Sequence, residues 1–346
     1  MIGPIQTSNL LFVLLVTGLL LALVYYRQRK KRLSASARDA APRPRFGLRY
    51  FARLAGFTIL VFLIIAGSLL IYITYNETTA EITPTPSQVE LPDDLPFPVE
   101  SVAFESEDGT RLAGWYTPPH NGAVIILLHG YGGNRLGSVG YAEILTKAGY
   151  GALLYDERAS GESGGARRSY GWEDAPDVGA AIAYLRSRPE LATARLGIGG
   201  CSMGAQIALQ GAARYPELEA VWADGSGVIR YQDNPAPANW ALAIAYAGNW
   251  LLDLMYSARL DIPAPPAMIE IIGNIAPRPI YLIGGGKPRP YFGSEAARLQ
   301  RFASYAGENA QVWIIPEATH CDGPVQRPEE YARRLVEFFD QALLQK

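Results

Sequence analysis

The sequence predicts an α/β fold with a mostly parallel, twisted sheet flanked by helices, preceded by membrane-spanning segments. Three observations support this prediction. From residue 99 onward, short aliphatic runs alternate with stretches of helical spacing, which implies right-handed crossovers between parallel strands. One of these runs ends in a glycine-flanked serine, Ser202, and helical spacing follows at once. Before residue 76, two longer apolar stretches flank a strongly basic segment.

The composition excludes several classes of protein. The chain has 346 residues, of which 49% are hydrophobic and 18% charged, and its formal net charge is -2. These values are typical of one large folded domain with an appendage, and they give no overall attraction to nucleic acid. Two cysteines are too few for a disulfide framework or a thiolate metal cluster. We therefore expect no nucleic-acid partner.

Residues 1–75 predict a transmembrane hairpin. The stretches 10–26 and 54–75 carry no charge, and about 20 apolar residues suffice to cross a bilayer. The loop between them, 27–53, holds ten arginines or lysines and one aspartate, so the positive-inside rule places it in the cytoplasm. The N-terminus and everything after residue 75 then lie on the extracytoplasmic side. A cleaved signal peptide is the weaker alternative, because no basic residue precedes the first apolar stretch.

The remaining chain divides into a linker and a large domain. Residues 76–98 are rich in threonine, proline and acidic residues, which predicts an extended linker. Residues 99–118 form two alternating runs around an Asp-Gly turn, the pattern of a hairpin. The continuous aliphatic run 123–128 predicts a strand buried on both faces. The same patterns predict strands over 151–155, 196–199, 218–223, 279–283 and 311–315, and helices over 136–148, 174–187, 205–215, 295–305 and 328–344.

An insertion interrupts this alternation at about residues 228–277. It is rich in large apolar residues, and we interpret it as a helical cap over the carboxyl ends of the strands, where ligands bind in such sheets. Extra packing on the edge of the sheet is the alternative. An apolar cap implies a small or acylated substrate with an apolar portion.

The residues Gly-Cys-Ser-Met-Gly at 200–204 form the candidate nucleophile turn. Glycines two positions either side of Ser202 let the backbone fold tightly around the serine. The helix that begins after it would direct backbone N–H groups and a positive dipole end at an oxyanion beside the hydroxyl. Alone, the pattern also fits a plain turn that caps a helix.

Four motifs occur in order along residues 99–346. They are His129-Gly130 after the third predicted strand, the charged and glycine-rich run 156–164 after the fourth, the serine turn, and Thr319-His320-Cys321 after the last strand. With these motifs the region resembles the α/β-hydrolase fold serine hydrolases, and is similar to their membrane-anchored esterase and serine-peptidase-like members. The resemblance implies an α/β-hydrolase fold with a cap insertion and a Ser-His-acid triad.

Within this scheme Ser202 is the nucleophile and His320 the base. His120 lies in a turn before the buried strand, far from the strand's carboxyl end. By the resemblance, His129 shapes the oxyanion loop, and His320 follows the last strand, where the family places its base. The resemblance also implies that the backbone N–H groups of Tyr131 and Met203 form the oxyanion hole.

The acid is ambiguous in the sequence. Family members usually carry an aspartate shortly after the strand that corresponds to 279–283, but residues 284–295 contain none. Asp224, at the end of the preceding strand, and Glu295, after a longer loop, are the two candidates. Either carboxylate could accept a hydrogen bond from the imidazole and hold its tautomer. We favour Asp224 as the acid, because a strand end is a more rigid platform than a glycine-rich loop.

Two further pairs of residues lie beside these motifs. Asp156 and Arg158 resemble a structural pair common in the family, which implies that they support a loop. Cys201 and Cys321 each neighbour a candidate catalytic residue. A disulfide between them is conceivable outside the cytoplasm, but adjacent side chains usually point to different faces, so we expect free thiols.

The sequence thus predicts a membrane-anchored, carboxylesterase-like serine hydrolase that cleaves ester or related acyl bonds through an acyl-enzyme. The reaction requires no metal and no organic cofactor. The expected partners are an acyl substrate and the lipid bilayer, contacted through two transmembrane helices. A serine peptidase or a thioesterase would use the same triad, and a binding module without turnover could keep the same fold.

Overall fold

The computed structural model describes residues 48–288 and 295–345. The chain divides into two compact units, Met1–Ile73 and Thr74–Lys346. The first predicted transmembrane stretch, 10–26, and most of the basic loop lie outside the described residues.

The described part begins with one long helix, α1 (Leu48–Ile82). Its segment Phe51–Ile82 is long and apolar enough to cross a membrane, and its most apolar stretch is not buried by the protein. This agrees with the second predicted span, 54–75.

Helix α1 corrects the predicted start of the linker, because residues 76–82 are helical rather than extended. No proline or glycine interrupts these residues, and the next proline is Pro84. Thr78 and Ile82 are buried, so the last turns of the helix gain tertiary packing that a free linker lacks. After the helix ends, Thr85–Pro86 pairs in parallel with Ser160–Gly161, which ties the former linker to the large domain.

The large domain is built on an eight-stranded sheet. Its strands are β1 (Glu100–Glu105), β2 (Arg111–Thr117), β3 (Ala123–Leu128), β4 (Gly151–Tyr155), β5 (Arg195–Cys201), β6 (Leu218–Asp224), β7 (Ile280–Gly285) and β8 (Ala310–Ile315). Their order across the sheet is β8-β7-β6-β5-β3-β4-β2-β1. Among the described strands of this sheet, β2 runs in the direction opposite to the other seven, and it forms the predicted hairpin with β1. The carboxyl ends of β3 to β8 therefore meet at one edge of the sheet.

Helices cover both faces of this sheet. They are α2 (Val139–Lys147), α3 (Ala175–Ser187), α4 (Met203–Arg214), α5 (Trp240–Leu260), α6 (Met268–Ile271), α7 (Glu295–Ala306), α8 (Gly323–Gln326) and α9 (Pro328–Phe339). The side chains of β3 alternate between two hydrophobic cores: Val124 and Ile126 pack with α3, α4 and α7, whereas Ile125 and Leu127 pack with α2 and α9. This explains why β3 is an unbroken aliphatic run.

The insertion between β6 and β7 is helical, as predicted. Its main element is α5, followed by the short α6 and a 3₁₀ turn at Ile272–Ile275. Asn239 caps the start of α5 by accepting a hydrogen bond from the Leu242 N–H. Asp253 of α5 is paired with Arg230 at the start of the insertion, with Oδ2 and Nε 2.8 Å apart. These contacts fix the cap helix to the chain that leads into it.

Candidate active site

Ser202 lies at a sharp turn between β5 and α4. Its backbone has φ +58° and ψ -116°, a strained conformation for any residue other than glycine. The turn is held by the Ser202 N–H, which donates to the Asp224 carbonyl oxygen at 2.8 Å, and by the Gln206 N–H, which donates to the Ser202 carbonyl at 3.1 Å. The side chain therefore projects from the edge of the sheet at the start of a helix, as the sequence pattern predicted.

The glycines around Ser202 permit this close packing. A Cβ on Gly204 would lie 2.5 Å from the carbonyl oxygens of Leu128 and His129, so helix α4 could not start beside β3 with any larger residue. A Cβ on Gly200 would likewise lie 2.7 Å from the backbone of Gly204. These positions require glycine because the two backbones touch.

The structure brings Ser202, His320 and Glu295 together. The Ser202 Oγ lies 2.8 Å from Nε2 of His320, and Oε1 of Glu295 lies 2.6 Å from Nδ1 of the same imidazole. The second carboxylate oxygen of Glu295 accepts a hydrogen bond from the Gly285 N–H at 2.9 Å. A carboxylate, an imidazole and a hydroxyl thus form one hydrogen-bonded series, the arrangement that activates a serine nucleophile.

The preferred acid, Asp224, does not occupy that position. Its carboxylate is buried and accepts hydrogen bonds from the hydroxyls of Tyr331 at 2.7 Å and Tyr141 at 3.1 Å. Burial raises the pKa of Asp224 to about 6, although the two tyrosine hydrogen bonds act in the opposite direction. Asp224 therefore supports the turn from behind, through its carbonyl bond to Ser202, and the alternative acid, Glu295, faces the imidazole.

Glu295 rather than Asp224 reaches the imidazole because the glycines at the end of β7 are tightly packed and hold the following segments close, instead of forming the loose platform expected from a glycine-rich loop. A Cβ on Gly285 would overlap the Thr319 carbonyl, and a Cβ on Gly284 would lie 3.3 Å from the Glu295 carboxylate. The glycine run makes room for the His320 loop and for Glu295 to lie directly on the end of β7. Glu295 is the first residue of α7, which follows the glycine-rich segment. An acidic residue in that position is the sequence signal that identifies this acid.

The environment of Glu295 keeps it ionised. Burial would raise its pKa, but the hydrogen bonds from His320 and Gly285, together with the positive charge of Arg298, hold the pKa below its ordinary value. The side chain of Glu295 is 5% exposed, so this charge interacts with the imidazole through little solvent. It favours the tautomer with the proton on Nδ1, which leaves Nε2 free to accept the serine proton.

The other two histidines have different surroundings. His129 is buried, with Nδ1 2.8 Å from the Gly130 carbonyl and Nε2 accepting from the Glu157 N–H at 3.0 Å. Burial lowers its pKa, so His129 is a neutral ring whose two nitrogens are both engaged. His120 is exposed in the turn before β3, at the opposite edge of the sheet from Ser202. Only His320 contacts the serine hydroxyl.

The loop after β3 approaches the nucleophile. A Cβ on Gly130 would lie 3.5 Å from Cβ of Ser202, so the backbone that leads into Tyr131 passes beside the serine. Met203 is the first residue of α4, and its N–H therefore has no acceptor within the helix. The Tyr131 side chain is held by Arg168, which donates to its hydroxyl at 3.0 Å and lies 4.4 Å above its ring.

Cys201 and Cys321 are joined by a disulfide, contrary to the expectation of free thiols, and their Cα atoms are 6.1 Å apart. Adjacent side chains do point to different sides, as expected, so each cysteine points away from its candidate catalytic neighbour. Ser202 and His320 face one another on one side of the two segments, and the two sulfurs face one another on the other side. The disulfide links the end of β5 to the loop that carries the base.

Asp156 and Arg158 both support loops, but with different partners than expected. Asp156 accepts hydrogen bonds from the backbone N–H groups of Arg135, at 2.7 Å, and Glu162, at 2.8 Å. Arg158 forms a two-pronged ion pair with Asp177 of α3, at 2.8 and 2.6 Å. The two residues hold the loop after β4 by separate contacts rather than by pairing with one another.

Comparison with known proteins agrees with this architecture. Residues 119–265 match the family model described as serine aminopeptidase, S33. The uncharacterized protein YfhR of Escherichia coli (strain K12) is 29% identical over 257 residues, which cover 72% of this chain and 83% of YfhR. The thiohydrolase apmlB of Arthrinium phaeospermum is 32% identical over 128 residues, 35% of this chain and 41% of that protein. The Pyrococcus furiosus esterase Pf2001 superimposes with a TM-score of 0.61 at 24% identity, covering 75% of this chain and 98% of the esterase.

The strand order, the helical insertion between β6 and β7 and the sharp turn at Ser202 define the class: the chain has an α/β-hydrolase fold. Within that class, its central 147 residues correspond to the S33 serine-aminopeptidase-like hydrolases. The likeness to the esterase structure is one of fold.

Proposed function

We propose that this protein is a membrane-anchored serine esterase that hydrolyses acyl esters outside the cytoplasm. Ser202 attacks the ester carbonyl while His320 takes its proton at Nε2, and the Glu295 carboxylate stabilises the imidazolium that forms. The N–H groups of Met203 and Tyr131 stabilise the oxyanion. His320 then gives the proton to the leaving alcohol, and water releases the acyl group by the same steps in reverse order.

The observation that carries this proposal is the series of hydrogen bonds from Glu295 through His320 to Ser202, at 2.6 and 2.8 Å. A purely structural role for His320 would not explain why one ring nitrogen faces an ionised carboxylate and the other faces a serine with a strained backbone. This series also argues against a binding module that only keeps the fold.

Labelling with a fluorophosphonate probe tests the proposal. The wild-type chain is expected to label and to hydrolyse short-chain p-nitrophenyl esters, and Ser202→Ala is expected to do neither. Ser226→Ala is the matched control, since Ser226 is a buried serine just after β6 whose hydroxyl bonds to the Gly227 carbonyl. Equal labelling of wild type and Ser202→Ala would disprove the hydrolase mechanism.

A peptidase or thioesterase activity is the second candidate. The matching family model is described as a serine aminopeptidase, and a partial relative is named a thiohydrolase. The same triad would serve amides and thioesters. Esters, thioesters and aminoacyl anilides are compared by their kcat/KM values and by how well each slows labelling with the probe. A preference for anilides would replace the esterase proposal by a peptidase one.

Three features support attachment to a membrane with the catalytic domain outside the cytoplasm. Helix α1 carries an apolar segment long enough to cross a bilayer. The loop 27–53 is strongly basic, which favours a cytoplasmic position. The disulfide between Cys201 and Cys321 is of a kind that persists in oxidising compartments. A reporter enzyme that works only outside the cytoplasm is expected to be active when it is fused after Lys346. If that fusion is inactive and a reporter that works only in the cytoplasm is active at the same position, the proposed topology is reversed.

A further inference from the structure

The outward face of the cap helix is apolar. Residues 234–252 contain no charged side chain over 19 consecutive positions. Five large apolar residues of α5 are exposed; Leu242, at 47%, lies on the other side of the helix, and four share this face: Trp240 is 78% exposed, Ile244 65%, Trp250 47% and Leu254 47%. At about 100° per residue they fall within one third of the helix circumference. We call these four residues the apolar stripe.

In its second half, α5 packs on the protein through the face opposite the stripe. Tyr256 and Leu260 are buried, and Asp253 is paired with Arg230. The polarity of this helix is therefore reversed relative to an ordinary surface helix, whose charged residues face solvent. Both charged residues of α5, Asp253 and Arg259, are engaged in contacts with the protein, and the stripe has none beside it.

The far end of α5 is fixed to helix α1. The Arg259 guanidinium donates to the Thr79 hydroxyl at 2.7 Å and lies 4.3 Å above the ring of Tyr75. Tyr75 is the last residue of the uncharged stretch 54–75, and Thr79 lies about one turn further along α1. The helix that carries the stripe thus contacts the part of the chain where the predicted span ends.

We propose that the apolar stripe of α5 lies in the lipid bilayer interface, and that the enzyme takes acyl esters that reside in that bilayer. Tryptophans at the start and middle of an uncharged helix face are typical of helices that lie in the headgroup region. The proposal commits to lipid as the occupant of this face, and it rests on the proposed membrane attachment.

Aromatic side chains lead from the inner face of α5 to the candidate active site. The ring of Tyr256 stacks on Tyr170 at 5.9 Å, and Tyr170 in turn contacts the ring of Tyr131 at 5.5 Å. Tyr131 stands in the loop beside Ser202. Aromatic contacts therefore lead from the inner face of the cap helix, opposite the stripe, to the loop of the proposed oxyanion hole, and they supply an apolar surface for the acyl chain of a bound substrate.

The distribution of tryptophans gives a direct test. All six tryptophans of the chain lie after residue 82, so emission reports on the large domain and not on the membrane anchor. Four of them are at least nine-tenths buried, Trp115, Trp172, Trp222 and Trp313, and the other two are in the stripe. The full chain is reconstituted in phosphatidylcholine vesicles with either plain or brominated acyl chains, because bromine quenches only tryptophans in contact with lipid.

Brominated lipid is expected to quench the wild-type chain, and the W240F/W250F variant is expected to lose that quenching. Equal quenching in both would overturn the proposal. Protection of the stripe from aqueous acrylamide in plain vesicles, without quenching by brominated lipid, would assign the face to a second protein chain and would also overturn it. Flotation with the vesicles distinguishes the proposed membrane anchor from the proposed lipid contact of the stripe. A chain that does not float with the vesicles contradicts the anchor. A chain that floats but shows no quenching that depends on Trp240 and Trp250 contradicts only the lipid contact.

Substrate turnover provides a second arm. Ile244→Glu is expected to reduce hydrolysis of a long-chain ester embedded in vesicles by roughly tenfold, and to leave hydrolysis of a soluble short-chain ester unchanged. Leu344→Glu is the matched control, since Leu344 is 40% exposed near the amino ends of the strands. An equal loss on both substrates, or an equal effect of both variants, would overturn the assignment of bilayer-resident substrates.

Discussion

Replacing Glu295 by Gln is expected to abolish turnover without unfolding the protein. The carboxylate accepts two hydrogen bonds, one from His320 and one from the Gly285 N–H. A glutamine side chain has one acceptor oxygen. With this oxygen on the Gly285 N–H, its NH₂ group faces Nδ1, which must then act as an acceptor. The ring proton moves to Nε2, and that nitrogen can no longer take the proton of Ser202.

The magnitude follows from the loss of both charge and tautomer. In a Ser-His-Asp protease the corresponding acid-to-amide change lowers kcat by about 10⁴-fold. That factor equals about 5 kcal/mol of transition-state stabilisation. Asp224→Asn, which places the amide between two tyrosine hydroxyls and away from the imidazole, is expected to change kcat by less than about tenfold.

The assay compares the two variants with wild type. The second-order rate of fluorophosphonate labelling measures activation of Ser202 directly, and kcat on a short-chain ester measures turnover. Thermal unfolding of each variant establishes that it is folded. A loss in Asp224→Asn as large as that in Glu295→Gln, or a Glu295→Gln variant that labels at the wild-type rate, would refute Glu295 as the triad acid.

Three further predictions concern the turn, the disulfide and pH. Gly204→Ala is expected to abolish probe labelling and to lower the melting temperature, because the new Cβ would meet two carbonyl oxygens, whereas Gly140→Ala, where open space receives the methyl group, should keep both. Reducing the bond between Cys201 and Cys321, which are 120 residues apart, is expected to lower the free energy of unfolding by about 4–5 kcal/mol, and an unchanged guanidinium midpoint would contradict this. Because burial raises the pKa of Asp224 from 3.8 to about 6, its ionisation destabilises the fold as pH rises through that window. The unfolding free energy of Asp224→Asn relative to wild type should therefore rise by about 2 kcal/mol between pH 4 and pH 7, and a difference independent of pH would contradict the assignment.

Much of the fold could be predicted because its signals are local. The six aliphatic residues of β3 are all buried, and the helical spacing after Ser202 marks α4. The nucleophile turn could be located because its glycines stand within two residues of the serine, although the contacts that require them include the distant carbonyls of Leu128 and His129. Hydrophobic periodicity shows which side of a strand or helix is buried. In a mostly parallel sheet this is enough to predict the alternation of strands and helices along the chain.

The acid and the disulfide could not be predicted because they depend on contacts between distant segments. Glu295 and His320 meet only because glycines at the end of β7 let two loops pack on one strand end. The pairing of Cys201 with Cys321 depends on how the end of β5 faces the last loop, which side-chain alternation within either segment does not determine. In both cases the sequence identified the participants, and the three-dimensional arrangement decided between them.

The disulfide between Cys201 and Cys321 closes a covalent ring that contains the whole triad, since Ser202, Glu295 and His320 all lie between its two ends. The exposed start of the cap helix lies inside the same ring. A protease that cuts the cap therefore produces a nicked, two-chain hydrolase rather than two separate fragments. Such a cleaved form would migrate as one species on a non-reducing gel and as two after reduction, so the bond keeps the three residues of the candidate site on one covalent unit after a cut in the cap.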